Sequence, residues 1–154
     1  MGAALITGAS AGLGAEFARQ LAAKGLDLVL VARRVEKLND VKQEIENSCP
    51  GISISLIEGD LSQPETPQFI AEQISAQGIE LHYLVNNAGA SGPRLLQDQD
   101  IGWWPHQEYL TLMMTSITEL CHRLVPTMTA AGYGRVINVA SVSGRIASAG
   151  DSHY

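Results

Sequence analysis

TGASAGLG, at residues 7–14, is the stretch of this 154-residue sequence that decides its fold class. Directly before it, residues 3–7 form an apolar run, AALIT, which is typical of a strand buried on both faces of a parallel sheet. Directly after it, apolar residues recur at every fourth position from Leu13 to Leu21, and Gly25 is a helix stop signal. The stretch therefore predicts a tight connection from a buried strand into a helix.

Short apolar runs and helical patterns continue to alternate along the rest of the chain. Further strands are predicted at residues 28–31, 52–57, 83–86 and 135–139. Further helices are predicted from Val35 to the break at Pro50 and Gly51, over residues 64–76 with Ser62 as N-cap, and over residues 107–131 with a bend at Pro126. This alternation predicts one α/β domain over residues 1–154: a doubly wound parallel sheet of the Rossmann type with helices on both faces. Because only fifteen residues follow Val139, we expect the fold to be truncated after the fifth strand, with the C-terminal part of the domain missing.

The composition excludes several classes of protein. Ten Lys and Arg against sixteen Asp and Glu give a net charge of −6, and such an acidic surface repels nucleic-acid phosphates. No apolar run reaches the roughly 18 residues that a membrane helix needs, and no signal-peptide pattern precedes the first strand. Cys49 and Cys121 are far apart, and the four histidines lack metal-ligand spacing. We therefore expect a cytoplasmic protein with free thiols, no bound metal, and no nucleic-acid or membrane partner.

Each glycine at residues 7–14 has a mechanical reason. Gly8 allows the tight turn out of the strand, Gly12 lets the backbone approach a pyrophosphate, and Gly14 lets the helix pack against the strand. The free N–H groups and the positive dipole end of the helix would then face the phosphates. A P-loop is excluded because no Gly-Lys-Ser/Thr sequence follows, and a glycine-rich turn without a ligand remains the alternative. The candidate residues for binding a dinucleotide are Thr7, Gly8, Ser10, Ala11, Gly12, Leu13 and Gly14.

The residues after the second strand indicate which dinucleotide binds. An acidic residue at this point would accept a hydrogen bond from the ribose 2′-hydroxyl of NAD. The sequence instead has Arg33 and Arg34, whose guanidinium groups suit the 2′-phosphate of NADP. We therefore predict NADP rather than NAD as the cofactor, with Arg33 as the main contact. The alternative is that one or both arginines lie on a solvated face at the start of the next helix.

Four motifs, in order along the chain, resemble those of the short-chain dehydrogenase/reductase family. They are the glycine-rich stretch, Asp60-Leu61, Asn86-Asn87-Ala88-Gly89, and Asn138-Val139-Ala140-Ser141 followed by Tyr154. The resemblance implies that the cofactor is contacted by Asp60, Leu61, Asn86, Ala88 and Gly89. It also implies that Ser141 and Tyr154 are the catalytic residues.

The reaction that this resemblance implies is hydride transfer between the nicotinamide and a small carbonyl or alcohol substrate. The family's tyrosine exchanges a proton with the substrate oxygen, while its serine hydroxyl hydrogen-bonds that oxygen. A free tyrosine has a pKa of about 10, so a neighbouring ammonium is needed to favour the phenolate. The family supplies it with a lysine four residues later, whereas this sequence ends at Tyr154, so we expect little or no turnover from these 154 residues alone. The family also pairs its long helices, which implies a homodimer or homotetramer.

A second departure from the family lies in the long helix, where an asparagine usually holds a water molecule. Counting back from Pro126 places Met113 at this position, and a thioether cannot replace an amide as a donor. We expect either that the proton relay is rewired through Thr111 or Thr115, or that only the serine, the tyrosine and the lysine are used. Met113 and the missing lysine leave a non-catalytic dinucleotide-binding module as the alternative function. A methyltransferase with a similar glycine loop is disfavoured by residues 86–89 and by the serine-to-tyrosine spacing.

Overall fold

The computed structural model describes residues 2–94 and 98–146. Its strands are β1 (Ala3–Thr7), β2 (Asp27–Ala32), β3 (Ile54–Glu58), β4 (Leu81–Asn86) and β5 (Arg135–Asn138). Its helices are α1 (Gly12–Ala23), α2 (Val35–Ser48), α3 (Thr66–Ala76), α4 (Trp104–Leu110) and α5 (Ser116–Ala130). A π-helical stretch, Thr111–Thr115, joins α4 to α5, and short 3₁₀ turns lie at Gln99–Ile101 and Val142–Gly144. The predicted alternation of strands and helices is therefore confirmed within these residues.

The five strands form one parallel sheet in the order β3-β2-β1-β4-β5. β1 lies at the centre, and all five of its residues are buried. Ile6 of β1 pairs with Leu30 of β2 on one side and with Val85 of β4 on the other. β2 and β3 therefore lie on one side of β1, and β4 and β5 lie on the other side. The predicted doubly wound parallel fold is confirmed, and its order reverses between β1 and β4.

Helices cover both faces of the sheet. Because neighbouring residues of a strand point to opposite faces, each strand contributes side chains to the core on either side. Buried side chains on the face covered by α1 and α2 include Ile6, Leu30, Ala18, Leu38 and Ile45. Buried side chains on the face covered by α3 and α5 include Leu5, Leu84, Ile70, Leu120 and Leu124. This double coverage explains why β1 is apolar without alternation.

The start of α3 differs from the prediction. The helix begins at Thr66 rather than at Pro64, and Glu65, not Ser62, is its N-cap. Ser62 instead binds Asp60: its backbone N–H and its hydroxyl donate to Asp60 Oδ1 over 3.0 and 2.8 Å. The Thr66 hydroxyl donates to the Asp60 carbonyl over 2.7 Å. Asp60 therefore holds the residues before Thr66 in a hydrogen-bonded turn, and the helix begins after this turn.

The long helix also differs from the single element predicted over residues 107–131. It begins at Trp104, because Pro105 is tolerated in the first turn of a helix. The hydrogen-bonding pattern then changes at the π-helical stretch, and α5 continues through Pro126 to Ala130. No Gly or Pro occurs between residues 107 and 125, so nothing in the sequence marks this change of hydrogen bonding.

An ion pair between Arg19 and Glu44 links α1 to α2. The guanidinium donates to both carboxylate oxygens, over 2.8 and 2.9 Å. These hydrogen bonds lower the pKa of the Glu44 carboxyl and raise that of the Arg19 guanidinium. Both groups face solvent, so the pair orients the two helices more than it stabilises them.

Gly14 packs closely against the glycine-rich turn and the segment after β4, and its replacement tests this packing. A Cβ added at Gly14 would overlap the Gly8 carbonyl and lie 2.6 Å from the Asn87 amide nitrogen. We expect Gly14→Ala to lower the free energy of unfolding by about 1–3 kcal/mol, because it overpacks this contact. Urea denaturation followed by circular dichroism measures the change.

Gly144→Ala is the matched control, because a Cβ added at Gly144 meets open space and the residue lacks a positive φ. Its unfolding midpoint is expected to match that of the parent. An equal midpoint for Gly14→Ala would contradict the proposed packing.

Candidate nucleotide-binding site

A cavity of about 350 Å³ lies at the carboxyl edge of the sheet, beside the reversal in strand order. Open α/β sheets bind ligands at this kind of position. Ten residues that the sequence analysis selected line it: Gly8, Ser10, Ala11, Gly12, Arg33, Arg34, Asp60, Leu61, Ala88 and Gly89. They come from the four segments that follow β1, β2, β3 and β4, so the fold assembles one site from separate parts of the chain.

The other predicted cofactor residues do not line this cavity. Thr7, Gly14 and Asn86 are buried within the protein, and the Leu13 side chain is exposed. Thr7 and Gly14 lie directly under the glycine-rich turn, where they support it rather than face a ligand. The distinction between supporting residues and lining residues depends on side-chain direction, which the motif alone does not specify.

The turn between β1 and α1 lines the cavity with Gly8, Ser10, Ala11 and Gly12. Gly8 and Gly12 have positive φ angles of 65° and 56°, which glycine adopts without strain. The Ala9 N–H donates to the Val31 carbonyl over 3.2 Å, which fixes the turn against β2. α1 then begins after an extended N-cap residue, Ala11, that makes no side-chain capping bond. The first N–H groups of the helix are therefore suited to an anionic ligand.

The side chains of Thr7 and Asn87 fasten this turn to the segment after β4. The Thr7 hydroxyl donates to the Val85 carbonyl over 3.3 Å and accepts the N–H groups of Asn87 and Ala88, each over 2.9 Å. The Asn87 amide donates to the Thr7 carbonyl over 2.9 Å. Sequence reasoning did not select Asn87, although its place in the Asn-Asn-Ala-Gly motif was an available signal. These bonds set the spacing between the two walls of the cavity.

Asn86 faces β5 and α5. Its amide nitrogen donates to Asn138 Oδ1 over 2.8 Å and lies 3.5 Å from Cys121 Sγ. The residue is 2% exposed, and its Oδ1 atom has no hydrogen-bond partner among the described residues. Asn86 therefore links the ends of β4 and β5.

Arg33 and Arg34 form the cationic end of the cavity. The Arg33 guanidinium lies 3.7 Å from Asp60 Oδ2, and its side chain is 71% exposed. An ion pair this long and this exposed contributes little to stability, so Arg33 can turn toward a ligand at low cost. Arg34 has an extended backbone directly before α2 and lines the same cavity. Both arginines therefore line the cavity, and the Arg33 side chain is at the same time largely exposed.

Ser141 follows β5 at the same edge of the sheet. Its Oγ atom accepts the backbone N–H of Ser143 over 3.1 Å. A hydroxyl that accepts this bond keeps its own hydrogen for donation to another oxygen. Tyr154, the other predicted catalytic residue, lies outside the described residues.

The wall of the cavity near Gly89 is formed by the π-helical stretch. Leu112 lines the cavity, and Met113 Sδ lies 3.4 Å from the position of a Cβ added at Gly89. Met113 occupies the position at which the family resemblance implies an asparagine, so a thioether and not an amide lies beside Gly89. A thioether donates no hydrogen bond, so Met113 offers no donor of the kind that an amide would supply here.

Two further observations bear on the sequence predictions. Within residues 2–94 and 98–146, no group of three or more His, Cys, Asp or Glu side chains could hold a metal ion. Across the same ranges, no helix has both the length and the apolar character needed to span a membrane.

The fold and the cavity together define a dinucleotide-binding α/β protein. The family model for the short chain dehydrogenases matches residues 2–154, and the chain belongs to that family. The family resemblance noted in the sequence is therefore confirmed.

Its curated relatives are longer proteins. The very-long-chain 3-oxoacyl-CoA reductase of Mycosarcoma maydis is 31% identical over 93% of this chain and 41% of its own length. The fatty acyl-CoA reductase of Acinetobacter baylyi is 34% identical over 90% of this chain and 46% of its own. This chain therefore spans less than half of either relative.

Solved structures show the same architecture. A metagenomic short-chain oxidoreductase in complex with NADP matches with a TM-score of 0.85 and 32% identity, over 96% of this chain and 65% of that one. A short-chain dehydrogenase from Sphingobium yanoikuyae in complex with NADPH matches with a TM-score of 0.86 and 30% identity, over 100% of this chain and 59% of that one.

Replacing Thr7 by valine tests the link between the two walls of the cavity. Thr7→Val removes the acceptor of the Asn87 and Ala88 N–H groups, and each unsatisfied buried donor costs about 1–3 kcal/mol. We expect a clear fall in the free energy of unfolding and weaker nucleotide binding, measured by urea denaturation and calorimetry. Thr7→Ser retains the hydroxyl and is expected to retain most of both properties. Equal behaviour of the valine and serine variants would show that the hydroxyl is unimportant.

Proposed function

We propose that this chain is the cofactor-binding part of an oxidoreductase that transfers a hydride between NADP(H) and a small carbonyl or alcohol substrate. One observation carries the proposal: residues of the uncapped start of α1, Ala11 and Gly12, line the same cavity as Arg33 and Arg34. A dinucleotide with a pyrophosphate and a 2′-phosphate matches both features. The solved complexes of similar chains with NADP and NADPH add support.

NADP is preferred over NAD on electrostatic grounds. Neither residue directly after β2 is acidic, and a 2′-phosphate accepts charge-assisted hydrogen bonds from guanidinium groups. Asp60 is already occupied by Ser62 through Oδ1, so its carboxylate stays in place when Arg33 turns toward a phosphate. Arg33, Asp60 and Leu61 would together hold the adenosine end of the cofactor.

The bound nicotinamide would supply or accept the hydride at its C4 atom. The Ser141 hydroxyl, held by the Ser143 N–H, would donate its hydrogen bond to the oxygen of the substrate. Tyr154 would exchange the proton with this oxygen, so that a carbonyl becomes an alcohol or the reverse. Both assignments rest on the family resemblance of the segment after β5.

The substrate class follows from this chemistry and is a carbonyl or an alcohol. The relatives named as acyl-CoA reductases, together with a human 17-beta-hydroxysteroid dehydrogenase that is 31% identical over 90% of this chain, handle larger substrates by name. A substrate screen therefore includes small ketones and aldehydes beside acyl-CoA and steroid compounds. We further propose that the protein is cytoplasmic and that it forms a homodimer or homotetramer. Light scattering on the purified protein tests the oligomeric state.

A second candidate function, a dinucleotide-binding module without catalysis, is favoured by Met113. This residue places a thioether where the family resemblance expects an amide. Tight NADPH binding without turnover of any carbonyl in the screen supports this candidate over the first.

Arg33→Ala tests the choice of cofactor. We expect the affinity for NADPH to fall by roughly 1.5–3 kcal/mol, because a charge-assisted contact is lost, while the affinity for NADH stays unchanged. Parallel calorimetric titrations with NADPH and NADH measure this difference, and Arg34→Ala is the matched variant on the neighbouring residue. An equal loss for both nucleotides would exclude recognition of the 2′-phosphate by Arg33.

Tyr154→Phe tests the reaction. In a form of the protein that reduces a carbonyl substrate, we expect turnover to disappear while the dissociation constant for NADPH stays the same, because only the proton donor is removed. Ser141→Ala is expected to lower turnover with the same retention of NADPH affinity. A fully active Tyr154→Phe variant would refute the mechanism.

A further inference from the structure

The connection between α4 and α5 is a π-helical stretch, Thr111–Thr115. Such stretches contain an extra residue compared with a continuous α-helix and occur frequently at functional sites. Because α-helical residues follow one another at about 100° around the axis, one extra residue redirects the neighbouring side chains. The stretch therefore changes which side chains α4 and α5 present to the cavity.

Ser116 stabilises this arrangement. In a continuous α-helix its backbone N–H would donate to the Leu112 carbonyl four residues earlier, but it donates to the Thr111 carbonyl five residues earlier. The Ser116 hydroxyl donates to the Leu112 carbonyl instead, over 2.8 Å. The residue is fully buried, so a carbonyl left without this donor would be costly.

The π-helical stretch supplies part of the cavity wall. Leu112 lines the cavity, and Met113 packs near Gly89 in the segment after β4. Arg33 and Arg34 belong to the opposite end, which follows β2. A dinucleotide whose 2′-phosphate lies at these arginines would extend its nicotinamide half toward Leu112.

We propose that Ser116 is a positioning residue: its hydroxyl holds the π-helical turn that presents Leu112 to the nicotinamide half of the cofactor and packs Met113 behind it, against Gly89. The inference rests on the proposed function, because it assigns one end of the cavity to that half. Met114 is 58% exposed, so the extra residue can be removed at this position without loss of a core contact.

Deletion of Met114 tests the proposal, because it allows α4 and α5 to continue as one α-helix. We expect the dissociation constant for NADPH to rise about tenfold or more, through the loss of a packed wall. Adenosine 2′,5′-bisphosphate carries the 2′-phosphate but lacks the nicotinamide, so its dissociation constant is expected to stay within about twofold of the parent value. Met114→Ala keeps the chain length and is expected to bind both ligands as the parent does.

Ser116→Ala provides a second test that retains the chain length. Loss of the hydroxyl is expected to weaken NADPH binding about three- to tenfold while affinity for the bisphosphate is kept. Thr118→Ala is the matched control, because the Thr118 hydroxyl makes the same kind of bond, to the Met114 carbonyl over 2.9 Å, from an exposed position. We expect it to bind both ligands as the parent does.

The outcomes separate the two proposals. If the parent binds both ligands and the deletion and Ser116→Ala leave NADPH affinity unchanged, the role of Ser116 is wrong and the proposed function stands. If these variants weaken both ligands equally, the damage is general and the role of Ser116 is also wrong. If the parent binds neither ligand, the proposed function fails and this inference fails with it.

Discussion

The hydrogen bonds that the Thr7 hydroxyl makes with the segment after β4 are the constraint on which the site depends. They join the glycine-rich turn to a segment 80 residues further along the chain, at the point where the strand order reverses. A doubly wound sheet leaves a crevice there, because the connections on its two sides lead away from each other. The Thr7 and Asn87 side chains set the width of that crevice and leave the backbone N–H groups of the turn for a ligand.

Local charge and overall charge have opposite signs in this protein. The chain carries a net charge of −6, yet the cavity combines the positive end of α1 with Arg33 and Arg34. Charges beyond a Debye length of about 10 Å are largely screened, so these nearby groups dominate the potential that an anionic cofactor meets. Asp60 moderates this potential through its ion pair with Arg33, and Ser62 holds the Asp60 carboxylate in position.

The strands could be predicted closely from the sequence, whereas the start of α3, the start of α4 and the π-helical stretch could not. Buried strands of a parallel sheet are short apolar runs, and all five were predicted to within two residues. The start of α3 was predicted wrongly because Ser62 donates its hydrogen bonds to the Asp60 carboxylate. A rule for N-cap residues does not include this competing partner. The π-helical stretch was missed because the hydrogen bonding changes around Ser116 where no Gly or Pro marks the change in the sequence.

The order and spacing of its motifs determined, without coordinates, that this chain has an α/β fold with a dinucleotide-type turn and a basic residue pair after β2. These features are local, because they depend on glycine conformations and on the character of neighbouring residues. Only the tertiary structure decided which motif residues face the cavity and which support it. Thr7, Asn86 and Asn87 have partners in distant segments, and the direction of a side chain at the end of a strand follows from those partners. The same holds for Leu112, which reaches the cavity because the packing of α4 and α5 on the sheet places it there.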